Sequence, residues 1–426
     1  MPDMPDHPMR FRATNELHAR PFPIVSASAR AAFFAYGSSD DSAAKSNSSD
    51  WDHLILLLDR FGAPHPAPNA THYFGKLGQA WIKWESHAEF TTYTAIIDDL
   101  GKVAFDGTEF NIFPTDWLAS TPGVRLTSSA IRIESTASTK TIERHLKSHF
   151  VAESLAVSRV LDGAAVIAGD YRIDVHGNLR FSVFVGPTTG RNRIGRIVQR
   201  LNEIEVYKVM SMLGLFEARE LSSKLSIVDH SMSQLVAALS DENISAEANL
   251  DALLEMSAEL ESNSAQVAYR FAASKAYAAI VSQRIEVLRE ERFEGVQTFR
   301  EFMMRRYDPS MRTIQAMDSR LQDLIARAKR TGDLLRTRVN VERQGQNQDL
   351  LASMDRRADM QLRLQKTVEG LSIVAVSYYA TGLMLYFLAP IPAIFGVSKV
   401  FLTAAIVPIV VAAVYFILRR IRMNLK

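Results

Sequence analysis

GLSIVAVSYYATGLMLYFLA, residues 370–389, is a run of twenty residues without a charge, and VFLTAAIVPIVVAAVYFIL, residues 400–418, is nineteen more. At about 1.5 Å rise per residue, a helix of either length crosses a hydrocarbon core of roughly 30 Å. Two such runs in tandem are unusual for a soluble core, so they read as two membrane spans rather than a pair of buried helices. The linker PIPAIFGVSK (390–399) has two prolines, one glycine and a single charge, Lys399, which predicts a hairpin with a tight turn.

The flanks orient this hairpin. Arg356, Arg357, Arg363 and Lys366 precede the first span, and Arg419, Arg420, Arg422 and Lys426 follow the second. Positive residues stay on the cytoplasmic side, so both termini are expected in the cytoplasm and the linker outside. Tyr386 and Tyr415 lie close enough to the span ends to anchor at an interface, unlike the more central Tyr378 and Tyr379. The N-terminus, MPDMPDHPMRF, has no apolar stretch of the kind a signal peptide needs.

Charge follows the same division. The net charge of +2 splits into +4 over 310–369, +5 over 370–426 and −7 over 1–309. A mildly acidic body argues against nucleic acid as a partner. The chain has no cysteine, which excludes disulfides and thiol chemistry and fits a reducing compartment.

From residue 192 to the first span the pattern is almost continuously helical. Ile194, Ile197, Val198, Leu201, Ile204 and Val209 recur at helical spacing. A break is expected near 240–245. A second long helix is then expected to run to about Arg306, where Tyr307-Asp308-Pro309 interrupts it. A third starts near Ser310 and continues into the membrane. Ile314, Met317, Leu321, Leu324, Ala328 and Leu335 form a coiled-coil-like seam that Thr331 breaks. After the polar stretch NVERQGQNQD (340–349), an apolar seam returns with Leu350, Met354 and Ala358. About eighty residues of helix would reach roughly 120 Å and need partners along their length, from the preceding helices, from copies of the chain, or from both.

Residues 1–190 read as mixed α/β. A helix is expected over 51–61, another over 138–150, and strands over 130–134, 164–168 and 179–185. GQAWIKWESHAEFTTYTAII (78–97) reads as one long strand. On it Ile82, Trp84, Ala88 and Phe90 face one side, and Lys83, Glu85, His87, Glu89, Thr91 and Tyr93 the other. Residues 37–50, GSSDDSAAKSNSSD, form a polar, serine-rich loop. The layout is therefore an α+β body over 1–190, a long-helix stalk over 191–369, two transmembrane helices over 370–389 and 400–418, and a basic tail over 419–426.

Three groups of residues are candidates for a site. Glu85, His87 and Glu89 would lie at i, i+2, i+4 on one strand face, where carboxylates and an imidazole can bind a divalent cation. The plainer reading, a solvated face of an antiparallel strand, is favoured. Asn15, Glu16, His18 and Arg20 lie in NELHARPFP (15–23), an extended segment because residues 20 and 22 precede prolines. They could hold an anion, a metal or a peptide, but a structural strap across the body is favoured. Ser377 and Thr381, one turn apart in the first span, would face a polar path or a neighbouring helix. GPTTGRNR (186–193) sits between a strand and a helix, yet its glycine spacing departs from the phosphate-binding loop. No zinc motif, nucleophile elbow or dinucleotide fingerprint is present; no enzymatic activity is expected, and the sequence names no cofactor or metal.

NELHARPFP (15–23), HYFGKLGQAWIKWESHAEFTTYT (72–94), RIGRIVQRLNEIEVYKVMSMLGL (193–215) and LLASMDRRADMQLRLQKTVEGLSIVAVSYYATGL (350–383) together resemble a bacterial family of membrane-anchored proteins defined as a domain of unknown function. The resemblance implies a multi-pass protein of the bacterial inner membrane. The order of elements also resembles the CorA-type magnesium channels, homopentamers whose first span lines the pore. Their Gly-Met-Asn motif is absent from LAPIPAIFGVSK (388–399). These readings lead to an oligomeric, membrane-anchored cytoplasmic sensor or scaffold. A CorA-like ion channel or divalent-cation transporter is the alternative.

Overall fold

The computed structural model describes the chain except residues 1–3, 5, 12–13, 15–21, 39–46, 69, 137, 240–244, 390–397 and 425–426. The fold is mixed α/β, with a sheet domain towards the N-terminus, long helices, and apolar helix at the C-terminal end. It divides into two compact units, Met1–Glu242 with Asp251–Thr331, and Asn243–Leu250 with Gly332–Lys426.

The first unit is organised by ARAAFFAYG, which forms β1 (Ala29–Gly37). Its residues are buried on both faces of the sheet. Ala32, Phe34 and Tyr36 join one core cluster, while Phe33 and Ala35 join another with Phe90, Val206 and Met210. A strand covered on both sides carries no polar alternation, which is why the sequence reading passed over it. The other strands are β2 (His72–Leu77), β3 (Ala80–Ser86), β4 (Phe90–Ile97), β5 (Val124–Ser135), β6 (Ala156–Val160), β7 (Ala165–Gly169), β8 (Leu179–Val185) and β9 (Glu291–Arg292). Among the described residues they form one sheet in the order β2-β3-β4-β1-β5-β8-β7-β6-β9. The β5–β8 pair is parallel and the other neighbours are antiparallel. Parallel neighbours cannot be joined by a tight hairpin, and the chain travels through a helix and β6–β7 between them.

Three helices belong with one face: α1 (Asn47–Phe61), the short α2 (Thr115–Ala119) and α3 (Thr139–His149). Leu54, Leu57 and Leu58 of α1 and Trp117 of α2 pack with Ile82, Trp84 and Tyr93. Ile142 and Leu146 of α3 pack with Val157, Val166 and Phe184. The other face is covered by α4 (Arg191–Ala238), through the cluster of Phe33, Phe90, Val206 and Met210.

Residues 78–97 are two strands, not one. β3 and β4 pair antiparallel from Ala80↔Ile97 to Ser86↔Thr91, and His87 N–H donates to the Phe90 carbonyl (2.8 Å) across the turn. The turn at Ala88-Glu89 lacks the glycine or asparagine that marks a hairpin in sequence. Reversal puts Trp84 opposite Tyr93, so these two share a face instead of opposing each other.

The second long helix also ends earlier than expected. α5 (Ala246–Glu286) stops about twenty residues before Arg306. The chain then turns back to the sheet as β9, beside β6. Leu288 and Phe293 are buried there, and Leu161 N–H donates to the Leu288 carbonyl (2.9 Å). Left-handed backbone occurs at Arg289, φ +49°, in the turn into β9, and at Gly295, φ +75°, in the turn out of it. α6 (Phe299–Arg306) starts with a capping box in which Thr298 and Glu301 satisfy each other's backbone N–H groups. α7 (Asp308–Phe387) follows, with Pro309 in its first turn, where a missing N–H costs little. It is a single helix of 80 residues that includes the polar stretch 340–349. In the first unit Ile314, Leu321, Leu324 and Ala328 are buried seam residues. α4, α5 and α7 meet at Gly214, where a Cβ would lie 2.4 Å from the Ser274 hydroxyl and 3.5 Å from Ile314.

In the second unit Leu335 and Val339 are buried, and Arg343 pairs with Glu247 at 2.8 Å. The seam expected at Leu350, Met354 and Ala358 is solvent-facing along this chain. α8 (Lys399–Asn424) contains Pro408 and runs past residue 418 into the basic tail. Both α7 and α8 hold segments long and apolar enough to cross a membrane. The tight turn expected over the linker falls on 390–397, outside the described residues.

Candidate functional site

The period-two pattern of β3 places Lys83 and Glu85 on the face opposite Trp84, towards α4. A cavity of about 330 Å³ lies there. Its walls come from β3, β4, α4, α5 and the segment carrying Phe22 and Pro23. Lys83 is nearly inaccessible, with 4% of its side chain exposed. A buried ammonium needs partners. It has Glu85 Oε2 at 3.1 Å and donates to Gln199 Oε1 at 3.0 Å. Gln199 Nε2 donates to Glu203 Oε1 at 2.7 Å, and Glu203 pairs with Arg284 of α5. A polar chain from Glu85 to Arg284 thus crosses the cavity lining from the sheet to both helices. Arg200 Nη1 donates to the Val287 carbonyl at 3.2 Å. Burial, and then the nearby Arg196 charge, lower the Arg200 pKa, while Glu203 works in the opposite direction.

The sequence candidates divide three ways. Glu85 and His87 both line this cavity, and the His87 ring stacks on Phe90 at 4.5 Å. Glu89 lies across the turn instead. It pairs with Arg270 at 3.1 Å and accepts from the Tyr277 hydroxyl, which ties the β3–β4 turn to α5. The strand-face triad is therefore not assembled. The expected solvated face is also corrected, because α4 and α5 cover it. Among the described residues no cluster of His, Asp and Glu is arranged to hold a metal.

Asn15, Glu16, His18 and Arg20 lie outside the described residues. The end of their segment does contribute: Phe22 and Pro23 line the same cavity as Glu85 and His87. Val25 is fully buried, and its N–H donates to the Arg191 carbonyl at 3.3 Å. Gly195 of α4 makes this crossing possible, since a Cβ there would lie 1.7 Å from the Pro23 carbonyl oxygen. In α7, Ser377 is buried and the Thr381 hydroxyl donates to the Ser377 carbonyl at 2.7 Å. Both line a second cavity of about 820 Å³ with Val407 and Val411 of α8.

Sequence reasoning missed a buried polar network beneath α1. Asp50 Oδ1 accepts from the Tyr36 hydroxyl (2.9 Å) and Asp50 Oδ2 from Thr91 (2.9 Å). His53 Nδ1 is 3.2 Å from the Tyr93 hydroxyl, and the Trp117 indole donates to the His53 carbonyl at 2.9 Å. Burial raises the Tyr36 and Tyr93 hydroxyls, with the Asp50 charge adding to the shift, and burial lowers the His53 imidazole. A signal was available. Asp50, His53, Leu54, Leu57 and Leu58 fall at i, i+3, i+4, i+7 and i+8, which puts two polar residues on the buried stripe of a helix.

A family model spans residues 5–425, nearly the whole chain. The chain belongs to the DUF3422 family. Its description is a protein of unknown function, so membership carries no activity. No curated protein and no solved structure matches the chain. The function of this DUF3422 chain has therefore to be argued from the cavity and the helices themselves.

Proposed function

We propose that this protein is a membrane-anchored sensor that receives a small ligand in the cavity between its sheet, α4 and α5. The observation that carries the reading is the cavity itself. It combines apolar walls with a few convergent charged groups, as small-molecule sites do. Glu85 and Glu203 each hold a cation, Lys83 and Arg284, which suits recognition better than proton transfer and favours a non-enzymatic role. The two apolar helices supply the anchor. In this reading the protein is a multi-pass, homo-oligomeric protein of the bacterial inner membrane, with both termini in the cytoplasm, the bilayer as a partner and no nucleic acid bound.

The absence of native cysteine makes the anchorage directly testable. Single cysteines placed at Ser148, exposed in the sheet unit, and Ser398, exposed before α8, would be treated with a membrane-impermeant maleimide. In spheroplasts Ser398→Cys is expected to react and Ser148→Cys only after lysis. Equal labelling of both before lysis, or recovery of the chain in the soluble fraction, overturns the topology. A channel is the second reading, favoured by one 80-residue helix that ends in an apolar segment carrying Ser377 and Thr381. Native mass spectrometry of the detergent-purified chain separates the two. A closed ring of four or more copies is required for a pore lined by α7, and a monomer or dimer excludes it.

A further inference from the structure

Charge among the described residues of the cavity lining is not balanced. Lys83 is neutralised by Glu85 and Arg284 by Glu203. Arg200, also in the lining, has no carboxylate within ion-pairing distance among the described residues. Its contact is the Val287 carbonyl. Its other charged neighbours include Arg196, Glu203, Arg284 and Arg289; Glu203 is already paired with Arg284, and Arg289 with Asp162 at 2.6 Å, which leaves Arg196. A half-buried guanidinium beside Arg196, with no carboxylate of its own among the described residues, has an unmet demand for negative charge, and its planar fork suits a carboxylate. The remaining wall is apolar: Phe22, Pro23, Phe33, Val198 and Val206. The volume, about 330 Å³, is at the lower end of the range of small-molecule sites.

We propose that the cavity binds a small organic anion, with Arg200 as counter-ion and the Phe22–Pro23 wall covering its carbon body. This assignment rests on the ligand-receiving reading above and names its ligand class.

The test uses the full-length chain in nanodiscs and isothermal titration with three probes: benzoate, benzyl alcohol and inorganic phosphate. Benzoate is expected to bind at least tenfold more tightly than benzyl alcohol, which has the same ring without the charge. It should also exceed phosphate, which has charge without a carbon body. Arg200→Gln is expected to weaken benzoate about tenfold and to leave benzyl alcohol unchanged, while Arg200→Lys retains part of the affinity. Circular dichroism confirms that each variant is folded. Equal affinity for benzoate and benzyl alcohol, or benzoate binding unaffected by Arg200→Gln, overturns the anion assignment and leaves the cavity as a ligand site of another class. Phosphate binding alone would make it an inorganic-anion site. If none of the three binds at millimolar concentration, the ligand-receiving reading falls with it.

Discussion

Replacing Gly195 by alanine sets two physical effects against each other. Alanine is favoured over glycine in a helix interior by about 1 kcal/mol, so propensity alone predicts a stabilised α4. The Cβ, however, would sit 1.7 Å from the Pro23 carbonyl oxygen and 2.8 Å from its carbonyl carbon. Ordinary contact requires about 3.5 Å, so the crossing segment must move by more than about 1 Å. Movement on that scale unseats Val25, a fully buried side chain worth about 1.5–3 kcal/mol. It also strains the Val25 N–H bond to Arg191, worth about 1 kcal/mol. After the propensity gain is subtracted, Gly195→Ala should destabilise the sheet unit by about 1–3 kcal/mol. The four tryptophans, Trp51, Trp81, Trp84 and Trp117, all lie in this unit, so the melt followed by intrinsic fluorescence reports on it. The apparent Tm should fall, by at most about 2–4 °C per kcal/mol for a unit of this size. Gly190→Ala is the control, because a Cβ there meets nothing within 4 Å and the backbone (φ −69°, ψ 147°) suits alanine. Gly190 is the N-cap of α4, where alanine is less favoured than glycine, so the cost there is about 0.5–1 kcal/mol. A Gly195→Ala melt at or above the wild-type value would show that the segment does not bear on α4 as described.

Three further outcomes are expected. Asp50→Asn keeps the shape of the side chain but turns an amide N–H₂ towards the Tyr36 or Thr91 hydroxyl, and should cost about 1–3 kcal/mol in chemical denaturation; an unchanged midpoint would refute the buried network. Arg270→Ala leaves Glu89 buried with only the Tyr277 hydroxyl and should destabilise by about 3 kcal/mol, with Arg270→Lys recovering part of the loss. Burial holds the His145 imidazole down at about 4, helped by His149 and Arg132 and opposed by Glu134. The unfolded chain therefore takes up this proton first as pH falls, and the stability held above about 6.5 is lost progressively towards pH 4. The thermal midpoint should drop over that window and His145→Gln should flatten the slope, whereas an identical slope in the variant would contradict it.

The two apolar helices were legible because each is a long uninterrupted run, a signal that needs no partner to be recognised. The same holds for the 3.6-residue stripe of α4 and the seam of α7, where burial follows local spacing. β1 was not legible, since a strand buried on both faces reads as neither helix nor half-exposed strand. The β3–β4 turn was missed for a different reason. His87-Ala88-Glu89 carries no turn residue, and the reversal is held from outside by Arg270 and Tyr277, more than 180 positions away. The end of α5 was half-legible: Thr298 and Glu301 form a capping pattern, but only the docking of Leu288 and Phe293 onto the sheet explains why the helix stops at Glu286.

By itself the sequence determined the mixed α/β body, the long helices and the tandem apolar segments, because each follows from composition or from periodicity over a few turns. Only the tertiary structure decided that Glu85 and His87 share a cavity with Phe22 and Pro23 while Glu89 does not, and that Asp50 and His53 meet Tyr36 and Tyr93 in the core. Tyr36 and Asp50 lie 14 positions apart, His53 and Tyr93 40, and the Glu89–Tyr277 contact that closes the β3–β4 turn spans 188. Their proximity is a property of strand order, hairpin reversal and helix crossing, which arise when separate apolar faces are buried together and leave no mark in the spacing of the residues themselves.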